Sequence, residues 1–225
     1  MTFMVKLQAT KSPRAIVFRV ELDGVDPCIW REFQVPFDLS LSDLHDVLQV
    51  VMGWSNYHLH EFVIRGEHYM EDFDSHDYED PDDTPPKDEY AAKLSGLSLR
   101  AKSHFRYIYD FGDDWQHTLR VLRIIELVDN KPYAFIGGER NCPPEDCGSV
   151  PGYQHILELL AKTPRGAAQS TPEEDDEDAG SDDPEILEWV GDYDPASFDV
   201  GEIEKTFVEL NTFWVKNHRA RKTGL

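Results

Sequence analysis

Two histidines stand two residues apart in Trp54-Ser55-Asn56-Tyr57-His58-Leu59-His60-Glu61-Phe62. Three carboxylates and a third imidazole crowd into Tyr109-Asp110-Phe111-Gly112-Asp113-Asp114-Trp115-Gln116-His117. A third stretch, Glu139 to Gly148, carries Glu145 and Asp146 between Cys142 and Cys147. Imidazole nitrogens and carboxylate oxygens are the usual donors to a catalytic divalent metal. His58, His60 and one carboxylate, with Asp113 the first choice and His117 a further ligand, would make such a site. His117 has a second possible role, as a general base oriented by Asp113 or Asp114. Plain structural roles compete with both. Asp-rich turns cap their own backbone, and strand histidines can simply hydrogen-bond across a sheet. Cys142 and Cys147 are loosely spaced for a zinc knuckle, although His58 and His60 could complete a four-ligand set with them. A nucleophilic thiolate needs a cationic neighbour; Arg140 is near in sequence, but Glu145 and Asp146 oppose it. The candidate polar site is therefore His58, His60, Asp110, Asp113, Asp114, Trp115, His117, Glu145 and Asp146, and a divalent metal is the cofactor that would suit it.

Regular elements must position these groups. Apolar residues at period two predict a strand over 15–23, and after the turn cluster Asp23 to Pro27 a second over 28–35. Ser40 followed by Asp43 marks a capped helix start. Leu41, Leu44, Leu48 and Val51 form its apolar stripe, with Gly53 as its stop. His45 beside that stripe reads as a structural histidine. A third strand covers 59–65, which puts His58 and His60 on one face. Strands over 104–111 and 115–128 flank the turn Phe111 to Asp114, and Tyr133 to Ile136 adds a short one. Glycines and prolines from Gly137 to Gly148 argue against regular structure there. Helices follow around Tyr153 to Leu160, from Asp183-Pro184 to Gly191, and from Asp199 onward. The fold class is α+β with a mainly antiparallel sheet of about five to six strands, a β-grasp-like hairpin–helix–strand start and C-terminal helices. Phe105, Tyr107, Tyr109 and Phe111 lie at strand spacing; core packing accounts for them better than base stacking does.

The chain has 225 residues, 22 Lys and Arg against 44 Asp and Glu, and a net charge of −22. Two segments hold most of the excess: Glu71 to Asp83 has eight acids and Glu173 to Glu185 nine, with no base in either. They read as an acidic loop (71–89) and an acidic linker (166–183) inserted in a single domain spanning 1–225. A chain this acidic does not bind a nucleic-acid backbone by general attraction, although a local basic patch such as Lys216, Arg219, Arg221 and Lys222 exists in the tail, and a protein partner is expected instead. No apolar run approaches the roughly 20 residues needed to span a bilayer. Three cysteines without a secretory signature suit a cytoplasmic protein with reduced thiols. Neither a P-loop nor a Gly-x-Ser-x-Gly elbow occurs, which lowers nucleotide and serine hydrolysis.

Several segments together resemble the Ri-plasmid Orf-three-like family. They are Ile29-Trp30-Arg31, Leu44-His45, Met52-Gly53-Trp54, His58 to Phe62, Tyr109 to His117, and Cys142-Pro143-Pro144-Glu145-Asp146-Cys147-Gly148. The resemblance covers about residues 16–211 and implies one α+β domain, linked in some relatives to plasmids or mobile elements. It implies no particular reaction. A recombinase role would need a nucleophilic Ser or Tyr among arginines, and no such cluster is present. The expectation is a non-enzymatic interaction or accessory module. The alternative is a metal-dependent hydrolase or nuclease built on the His/Asp cluster.

Overall fold

The structure, a computed structural model, describes residues 13–71, 85–128, 131–162 and 183–223, the last seven without their side chains. Most of the acidic loop and nearly all of the acidic linker lie outside the described residues.

Strands β1 (Arg14–Leu22) and β2 (Trp30–Pro36) form the expected hairpin, with Phe18 opposite Phe33. Helix α1 (Leu41–Met52) begins where Ser40 Oγ accepts the Asp43 N–H at 3.1 Å. It ends at Gly53, whose φ of 85° is the left-handed conformation that glycine adopts freely. Strand β3 (His60–Ile64) follows, then β4 (Glu67–Met70), β5 (Lys87–Asp88), β6 (His104–Tyr109), β7 (Trp115–Glu126) and β8 (Ala134–Glu139). Helices α2 (Ser149–Lys162), α3 (Asp183–Val190) and α4 (Val200–Thr223) complete the chain. No helix among the described residues is long and apolar enough to cross a membrane.

The α+β class stands, but the sheet differs from the sequence expectation. It has eight strands in the order β5-β4-β3-β6-β7-β1-β2-β8, and it is mixed because β4 and β5 run parallel. Two short strands account for the extra count. β4 turns back from β3 through Arg65 and Gly66, both with positive φ. β5 is two exposed residues inside the stretch read as acidic loop, too short to show any pattern. The expected hairpin–helix–strand start is present as β1, β2, α1 and β3, with β6 and β7 lying between β3 and β1 in the sheet.

β8 continues through Gly137 and Gly138, where composition argued against a strand. Gly138 is glycine because its neighbours leave no room for a side chain. A Cβ on Gly138 would meet Arg31 Cδ at 2.6 Å and the Trp30 carbonyl at 2.8 Å. Gly138→Ala is expected to destabilise the fold by about 2–3 kcal/mol in urea unfolding, the usual cost of forcing a methyl group into a filled space.

Residues directly opposite one another in antiparallel strands share a face. One face therefore carries His60, Tyr109 and Trp115 in one row, and Tyr107, His117 and Leu22 in the next. Leu44, Leu48 and Val51 of α1 join Phe18, Phe33, Phe62 and Phe105 in the core. Tyr107 and Tyr109 are fully buried there, whereas Phe111 sits in the turn and is 45% exposed. α4 packs on β8 and α1, burying Ile203 and Phe207.

Candidate functional site

At one end of the sheet, the first half of α1, the segment leading into β3, the end of β4 and the residues after β5 surround an open cleft of about 880 Å³. His45 reaches it from α1. Its Nδ1 lies 2.8 Å from the Tyr107 hydroxyl, which also accepts from Gln49 Nε2 at 3.0 Å. The hydroxyl therefore donates to Nδ1, and the proton on His45 Nε2 goes to Asn56 Oδ1 at 2.7 Å. Burial, followed by the neighbouring His60, holds the His45 pKa down to about 4, so this ring is neutral. His60 stacks on it with ring centres 3.5 Å apart and planes within 1°. His60 Nε2 meets Glu89 Oε2 at 2.9 Å, and both side chains are nearly enclosed.

His58 does not continue the strand. It lies in a bend before β3, because the Tyr57 N–H goes instead to the Tyr109 hydroxyl at 3.1 Å. The expected shared face with His60 is thus replaced by two separate environments, although both histidines line the cleft. His58 Nε2 is surrounded by Asp146 Oδ1 at 3.3 Å, Asp110 Oδ2 at 3.7 Å and Glu145 Oε2 at 3.7 Å.

The Cys142–Cys147 loop is pinned against this histidine at several points. Trp54 stacks on Tyr109 with ring centres 4.9 Å apart and donates through Nε1 to the Pro143 carbonyl at 3.1 Å. Glu145 Oε1 accepts the Ser55 N–H at 2.8 Å and the Tyr109 hydroxyl at 3.3 Å. Burial, and after it the Glu145 charge, raises the Tyr109 pKa to about 12, so the hydroxyl remains a donor. Asp113 Oδ2 takes the Gly148 N–H at 3.1 Å, tying the loop to the β6–β7 turn.

The structure thus brings His58, Asp110, Glu145 and Asp146 together, with Asp113 as a tether beside them. The other sequence candidates lie elsewhere. Asp114 accepts from Gln116 Nε2 at 2.9 Å within its own turn. Trp115 and His117 belong to the core. His117 is fully buried between Tyr107 and Trp54, and burial lowers its pKa to about 4. Cys142 is buried against Met52 and Arg31, and burial pushes both its thiol and that of Cys147 up to about 12. Neither suits a thiolate ligand or nucleophile. Sequence reasoning missed Glu89, Asp46 and the Tyr109 hydroxyl. Glu89 sits at the end of an acidic stretch in which no residue stands out, and the Tyr109 hydroxyl lies on a stripe whose spacing signals only packing.

Fold and site together define an α+β protein whose eight-stranded mixed sheet holds a histidine- and carboxylate-lined cleft at one end. The chain belongs to the plasmid pRiA4b ORF-3-like protein family, whose model matches residues 14–202. It is similar to the "Uncharacterized protein y4hQ" of Sinorhizobium fredii (strain NBRC 101917 / NGR234), with 35% identity over 208 residues, 91% of this chain and 96% of that protein. Its fold is also similar to the crystal structure of a "Protein of Unknown Function MM3350" from Methanosarcina mazei Go1. The TM-score is 0.67 at 29% identity, covering 85% of this chain and 97% of that one.

Proposed function

We propose that the protein is a non-enzymatic interaction module whose cleft receives a Lys- or Arg-bearing segment of a protein partner. One observation carries this reading. The cleft is lined by the carboxylates of Asp43, Asp46, Glu71 and Glu89, and among the described residues no Lys or Arg lines it. Partial burial, then the neighbouring Asp43 charge, raises the Asp46 pKa. Tyr57, Leu59 and Tyr90 also line the cleft and remain 80%, 60% and 53% exposed. A basic side chain has an apolar stem and a cationic tip, and this lining offers a surface to each. The same negative field repels a phosphate backbone, which favours a protein partner over nucleic acid.

The alternative, a metal-dependent hydrolase, draws support from the imidazole and carboxylates around His58. It loses the base assigned to it from sequence, since His117 is walled into the core. Fluorescence anisotropy with a labelled peptide alternating Lys and Leu separates the readings. Micromolar binding at low salt is expected, weakening about tenfold from 50 to 300 mM NaCl as charge attraction is screened. The pair Asp46→Asn and Glu71→Gln should weaken it by about another tenfold, and an acidic peptide of equal length should not bind. Equal binding of both peptides, or no effect of the double substitution, would contradict the proposal.

A further inference from the structure

The group around His58 is separate from the carboxylates of the cleft, and its distances are informative. A hydrogen bond from a ring nitrogen to a carboxylate closes to about 2.7–3.0 Å. His58 Nε2 stands 3.3, 3.7 and 3.7 Å from three carboxylate oxygens, wider than that from each of them. The nitrogen is shut off from solvent and has no hydrogen-bond partner. Two donors that each lie about 2.1 Å from a shared ion are about 3.0 Å apart when at right angles and about 4.2 Å apart when opposite. The three separations from His58 fall in that interval. One ligand atom each from His58, Asp110 and Asp146 lie mutually within 4.8 Å. None of the three carboxylates makes a Lys or Arg ion pair among the described residues. Three carboxylates gathered around one unpartnered imidazole nitrogen are a donor set suited to a cation.

The supports are fixed before any ion arrives. Asp110 is oriented by the Gly112 N–H at 2.9 Å on its Oδ1, which leaves Oδ2 toward His58. Glu145 is held through Oε1 by Ser55, which leaves Oε2 on the His58 side. Asp146, 72% exposed, closes the outer side and marks the way in. We infer that His58, Asp110 and Asp146, with Glu145 alongside, form a binding site for a divalent cation joining the segment before β3, the β6–β7 turn and the Cys142–Cys147 loop. One nitrogen and several carboxylate oxygens suit Mn²⁺ or Zn²⁺ better than a soft thiophilic ion. This site goes beyond the peptide reading and does not depend on it.

The test is a Mn²⁺ titration of the full chain followed by electron paramagnetic resonance, with Zn²⁺ as competitor. One saturable site is expected, with ¹⁴N coupling from one imidazole and displacement of Mn²⁺ by Zn²⁺. His58→Gln should abolish the nitrogen coupling. Asp146→Asn should weaken binding at least about tenfold, as loss of a charged ligand does. Asp146 is mostly exposed, so the metal-free melting temperature of Asp146→Asn should match the wild type. That variant decides the matter alone if His58→Gln fails to fold. No saturable binding by about 1 mM Mn²⁺, far weaker than a built site of this charge, would overturn the inference. So would binding without nitrogen coupling, or full binding in Asp146→Asn.

Discussion

Lowering the pH from 7.5 to 4.5 is expected to remove about 5 kcal/mol of folding stability through two buried imidazoles, His45 and His117. Each has its pKa lowered from the usual 6.5 to about 4, chiefly by burial. Both are neutral in the folded protein at neutral pH. The unfolded chain takes up their protons near pH 6.5, while the folded chain resists until about pH 4. Below 6.5 the unfolded state therefore binds more protons, and stability falls with pH until the folded rings also titrate. Each ring contributes roughly 2–3 kcal/mol over this window. His117→Leu isolates one of them, because the many carboxylates affect both proteins alike. The variant should lose roughly 2–3 kcal/mol less than the wild type between pH 7.5 and 4.5 in urea unfolding. Equal losses would mean that His117 is not held neutral by its burial among Tyr107, Trp54 and Leu22.

The second large effect is expected from Arg31→Ala. This guanidinium is fully buried and has no carboxylate partner among its hydrogen bonds. Nε donates to the Val51 carbonyl at 2.8 Å, and Nη1 to those of Trp30 at 2.9 Å and Glu139 at 2.8 Å. Nη2 reaches the Arg140 carbonyl at 2.7 Å and Cys142 Sγ at 3.7 Å, and the plane lies 3.8 Å over the Phe198 ring. The residue ties the end of α1, strand β8 and the start of the Cys142–Cys147 loop together. Truncation leaves four carbonyls without this donor and opens a cavity, at a cost of about 4 kcal/mol. Arg31→Lys should recover only part, since an ammonium cannot reproduce the planar fork. Urea unfolding checks both variants, and an Arg31→Ala protein within about 1 kcal/mol of wild type would show that the clamp is dispensable.

The elements with a strong local signal were legible in the sequence. Ser40 and Asp43 at one end of α1 and Gly53 at the other are caps whose chemistry is local, and the structure shows both. The strands around Phe18, Phe33, Tyr107 and Leu119 carry period-two patterning because alternate residues, such as Phe18, Val20 and Leu22, enter the core. The residues that escaped notice depend on long-range contacts. Lys87 and Asp88 become a strand only because β4 supplies an edge, and Gly138 only because β2 supplies one, with Arg31 opposite it. His58 and His60 are two apart, and period two would give them one face. The chain bends before β3 to satisfy Tyr57 and Tyr109, and no spacing rule contains that bend. Glu89 illustrates the limit best: its role depends on His60, twenty-nine residues earlier, across a stretch whose composition says only that it is acidic.

The cleft reading is tested most directly by mapping where a basic ligand sits. Amide chemical-shift perturbation would be followed while the ¹⁵N-labelled protein is titrated with the Lys/Leu peptide at low salt. Saturable shifts are expected at Ser42 to Asp46, Asn56 to His60, Glu71 and Tyr90, with α3 and the outer turns of α4 unmoved. Shifts concentrated on those helices, or none at saturating peptide, would contradict the assignment of this cleft as the surface that the protein offers to a partner.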